Sequence, residues 1–157
     1  ADVPGQVGSA LAVLGDSPSA RAGLVPHGGF TDPEYASVGL TEAQARAMAP
    51  DDVLTAIVPY TDIDRAVIDR LSEGFCKLIV SRATGAVLGA HVVGEQAVEV
   101  VHAAAVAMAG GLSVAQLADV AFAYPTYTAV VGQAARVALR QLAPALPRGW
   151  RELAAVA

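Results

Sequence analysis

A single cysteine, Cys76, stands among 157 residues, so the chain can form neither an internal disulfide nor a Cys-x-x-Cys pair. Charge is scarce as well. Asp, Glu, Lys and Arg make up 16% of the chain, against roughly a quarter in an ordinary globular domain. The ten basic residues form no cluster and the net charge is −5, which argues against a nucleic-acid partner, since tracking a phosphate backbone needs a basic surface. Charge, Gly or Pro interrupts every apolar run well before the roughly 20 residues a membrane helix requires. No signal peptide opens the chain. These absences predict a cytoplasmic protein with no membrane partner.

What is abundant is small and apolar. Hydrophobic residues reach 54%, much of it Ala and Val, which let packed elements approach closely. So little charge on a water-exposed protein implies apolar surface that is hidden somewhere, most simply in a homodimer. An alanine bias of a GC-rich host is the competing explanation. The length suits one domain, long enough to bury a core without metals or disulfides.

Along the chain, residues 1–25 read as a short, glycine-interrupted helix and linker, part of the same unit as residues 26–157. Thr41 with Gln44 is a capping box, predicting a helix from Thr41 to Met48. Val53–Tyr60 reads as a strand with Pro59 at its end or at an edge, and 62–71 as a loop with one helical turn. Phe75–Ser81 and Ala86–Val93 are two strands of a hairpin through Ala83-Thr84-Gly85. Glu95–Ala109 is helical and almost wholly apolar outside the stripe Glu95, Glu99, His102. Gly110-Gly111 stops it. Ser113 with Gln116 opens a short helix to Val120, and a last helix runs from about Thr126 to Leu142, with Pro125 tolerated in its first turn and Gln133, Arg136 and Arg140 as its polar stripe. Strands first and helices after predict an α+β fold, an antiparallel β-sheet with helices packed on one face.

The run Phe30-Thr31-Asp32-Pro33-Glu34-Tyr35-Ala36-Ser37-Val38-Gly39-Leu40-Thr41-Glu42 resembles the start of the C-terminal dimerisation domain of the pyridine nucleotide-disulfide oxidoreductases, the family of dihydrolipoamide dehydrogenase, glutathione reductase and mercuric reductase. The resemblance continues through Gly74–Leu78, Leu88–Gly94, Glu99…His102 and Tyr124-Pro125-Thr126. It implies a two-fold dimer in which a His before the Pro-Thr pair, oriented by a Glu three residues after the Thr, reaches the partner subunit's disulfide site. Here Tyr124 stands in the His position and Ala129 in the Glu position, so that proton relay is missing. The glycine-rich units that hold the family's flavin and nicotinamide are missing too: no Gly-x-Gly-x-x-Gly precedes a helix. By itself the chain is expected to hold no cofactor and to run no flavin, nicotinamide or dithiol redox chemistry.

Other reactive-looking residues have plainer readings. His91 sits in a strand and reads as core or interface packing. Glu99-x-x-His102 matches half of a di-metal motif, but nothing supplies the other half, so a structural pair is favoured and no metal site is expected. His27, beside Gly28-Gly29, reads as a solvated linker residue. Cys76 alternates with Leu78 and Val80 and reads as a buried hydrophobe. Tyr124 is either a catalytic hydrogen-bonding group or a residue packing a helix end.

Two functions fit. In the first, the domain is free-standing, homodimeric and cofactor-free. It binds an apolar small molecule and catalyses a non-redox cyclisation or isomerisation, with Tyr124 as the catalytic group and Tyr127, Phe122 and Tyr35 around the substrate. In the second, the chain is a dimerisation module of a flavin-dependent oxidoreductase with no activity of its own. The degraded relay leads us to expect the first.

Overall fold

The computed structural model describes residues 24–143. The expected helix and linker of residues 1–25 therefore lie almost entirely outside the described residues. The elements run β1 (His27–Gly29), β2 (Tyr35–Gly39), α1 (Glu42–Met48), β3 (Val53–Pro59), a 3-10 turn (Tyr60–Asp62), α2 (Asp64–Asp69), β4 (Gly74–Ser81), β5 (Val87–Gly94), α3 (Ala97–Ala109), α4 (Val114–Ala118) and α5 (Ala129–Leu142). The strands form one antiparallel sheet in the order β1-β2-β5-β4-β3.

Both capping boxes form as expected. Thr41 and Ser113 each accept the backbone N–H three residues on, and Gln44 and Gln116 reach back to the cap N–H groups. The β4–β5 turn is tied down by Asp52. Its carboxylate accepts from the Ser81 hydroxyl and the Ala83 N–H, both at 2.7 Å. Strand period then sorts the core. Val38, Leu54, Ala56, Cys76, Leu78, Val80, Ala90 and Val92 point to one side and are buried beneath α3 and α5.

The structure corrects several expectations. His27 is exposed as read, but it belongs to β1, paired with Ser37. α3 begins at Ala97 after a left-handed Gln96, and its Val98 N–H reaches toward the Glu34 carboxylate, 3.4 Å away. The last helix begins at Ala129, not Thr126. Pro125 follows a cis bond, and the Thr126 hydroxyl closes a turn onto the Ala123 carbonyl at 2.7 Å. α1 does not join the other helices. It packs on the opposite sheet face, where Ala45 meets Val53 and Ile79 and Glu42 bonds Lys77 and Arg46.

Candidate functional site

The segment between α4 and α5 carries three of the four aromatic residues singled out in the sequence, and the structure sends them to different places. Phe122 turns inward. Its ring lies where a Cβ on Gly132 would stand, 2.6 Å away, which accounts for a glycine in the first turn of α5 despite a cost of up to roughly 1 kcal/mol relative to alanine. Phe122 also lines an apolar cleft of about 350 Å³ with His102, Val106, Leu112, Leu117 and Val120.

Tyr127 is buried, 4% exposed. Its ring packs tilted against Tyr60, with centroids 5.7 Å apart, and its phenol donates to Asp69 Oδ2 at 3.0 Å. Burial first, and the bond to Asp69 second, push this phenol up to about 12. The Arg65 guanidinium, 2.7 Å from the same oxygen, holds the Asp69 carboxyl below its ordinary range. Tyr60 is likewise raised by burial and donates to the Glu95 carbonyl.

Tyr124 does the opposite. It is 77% exposed, and its phenol donates to Asp64 Oδ2 at 2.6 Å, a bond that raises its pKa. A phenol held neutral in this way donates its proton to Asp64 and is a poor base. Tyr35, in β2, faces away from the helical layer on the open side of the sheet and is 47% exposed. The four residues therefore share no pocket. Asp64 and Asp69, which bind the two tyrosines, were missed in the sequence. The only signal for them was a charged stretch, and nothing in it points to partners about sixty residues away.

The remaining candidates take simple roles. His91 Nε2 lies 3.1 Å from the Leu40 carbonyl. Glu99 and His102 stand exposed on α3 and make no bond to each other, so the expected structural pair does not form. Cys76 is fully buried, and burial pushes its thiol up to about 12, so it is no nucleophile at neutral pH. A second cleft, of about 600 Å³, is lined by Asp32, Glu34, Arg70, Glu73 and Glu95. Among the described residues no three His, Cys, Asp or Glu side chains cluster as metal ligands, and no helix is long and apolar enough to cross a membrane.

An antiparallel sheet with a helical layer on one face, its helix α3 apolar and partly exposed, defines an α+β domain. The chain belongs to the pyridine nucleotide-disulphide oxidoreductase family, matching its dimerisation domain over residues 25–135. It is 40% identical over 103 residues to a mercuric reductase of Lysinibacillus sphaericus, covering 66% of this chain and 19% of that protein. It is 36% identical over 110 residues to a dihydrolipoyl dehydrogenase of Bacillus subtilis, covering 70% and 23%. Among solved structures it is similar to LpdA of Mycobacterium tuberculosis, with 30% identity, a TM-score of 0.69, and 82% of this chain on 28% of that one. The HOCl-induced flavoprotein disulfide reductase RclA of Escherichia coli aligns at 28% identity and TM-score 0.68, covering 80% and 29%. The chain thus spans under a third of the length of these relatives.

These matches overturn the expectation of a free-standing cyclase or isomerase acting on an apolar small molecule. They place the chain among disulfide oxidoreductases, in the part of the family named for association, and the aromatic residues assigned to that reaction do not converge. Nor do the described residues form a cradle for a flavin dinucleotide. A dinucleotide cradle is a parallel strand, a glycine-rich turn and a helix N-terminus, and among the described residues every strand pair is antiparallel.

Proposed function

We propose that this chain is the dimerisation module of a flavin-dependent disulfide oxidoreductase, and that a second copy of it packs against the side built by α3, α4 and residues 119–124. The observation that carries this reading is the apolar cleft beside α3. Val106 is 70% exposed at its lip, and α3 has only Glu99 and His102 as polar side chains in thirteen residues. Exposed valine beside an apolar cleft marks an association surface. Tyr124, two residues beyond Phe122, brings an aromatic ring with a polar tip to the same segment, a side chain enriched where proteins meet.

The chain supplies association and no redox step of its own. In this reading the flavin and nicotinamide chemistry of such an enzyme is carried by parts other than this sheet and its helices. A stable interface of this kind buries on the order of 2,000 Å² in total. Sedimentation equilibrium should show a dimer at micromolar concentration, and Val106→Asp should give a monomer with an unchanged circular dichroism spectrum. A wild-type monomer overturns the reading, and a dimeric Val106→Asp variant moves the interface elsewhere.

A further inference from the structure

We draw no further inference here: the strongest candidate, the apolar row Tyr35, Val93, Phe75 and Pro59 across the open face of the sheet, carries nothing because nothing in the structure shows what covers it.

Discussion

The two faces of the sheet are made by the same strands and live in different surroundings. On β4, Cys76, Leu78 and Val80 lie under the helical layer with no exposed surface, while Phe75 and Lys77, one residue away in each direction, look outward and are half-buried. The outward face is not polar throughout. Tyr35, Val93, Phe75 and Pro59 are register partners and draw an apolar row across four strands. The next row on that face, His27, Ser37, His91, Lys77 and Ile57, is mostly polar. Beyond it α1 roofs Val53 and Ile79. Residue type alone thus does not decide burial. It is decided by which face the later helices cover, and α3 and α5 both go to one side.

The contrast is sharpest at Cys76. With the thiol enclosed and its pKa pushed up to about 12, a thiol reagent should label the native chain at least about a thousandfold more slowly than the unfolded chain, because reaction waits for opening. Ellman kinetics with and without denaturant measure this. Labelling at comparable rates would mean that the covered face is open in solution.

Next in size is Leu78→Ala, which empties a fully buried position between sheet and helices. It should cost about 2–5 kcal/mol, read as a fall in the urea midpoint at unchanged slope. Lys77→Met probes the outward side of the same strand. Lys77 bonds Glu42 and holds that carboxyl below its ordinary value, with Arg46 contributing second. A depressed folded pKa contributes stability that is present above the unfolded value and lost as pH falls through the folded one. Wild type and variant should therefore differ by at most about 1 kcal/mol near neutrality, and their melting temperatures should converge in acid. A gap that persists in acid after Glu42 has taken up its proton would assign the effect of Lys77 to packing of its alkyl stem.

The smallest effect is expected on the open face. Ile57→Thr, at a position 53% exposed on the edge strand, should change stability by no more than about 0.5 kcal/mol. A loss several times larger would mean that something covers this face in solution.

Much of the covered face could be read directly from the residues. Cys76-x-Leu78-x-Val80 alternates as a half-buried strand does, and the two capping boxes fixed where α1 and α4 begin. β1 escaped because His27-Gly28-Gly29 has the composition of a linker and becomes a strand only by pairing with β2. The start of α5 is not legible in the residues, because Pro125 suits a first helical turn while the path of residues 123–128 goes with Tyr127 turning inward to Tyr60 and Asp69. The family itself was legible, since its motifs are local and in order. The fate of the four aromatics was not. Whether Tyr124 faces solvent or a pocket depends on Asp64, and no short-range pattern joins the two.

Strand order also sets the sequence in which the chain can close on itself. β3, β4 and β5 are joined by connections of modest length, whereas β2 must find β5 across the whole of that unit, pairing Tyr35 with Val93. Loop-closure entropy grows with the length enclosed, and distant pairings slow folding. The three-strand unit is therefore the natural nucleus, with β2 and then β1 docking on a β5 edge already in place. Pulsed hydrogen exchange during refolding should protect β4 amides before those of β2. A domain so built waits for two late strands to complete its sheet, and that step falls on the chain's earliest described residues.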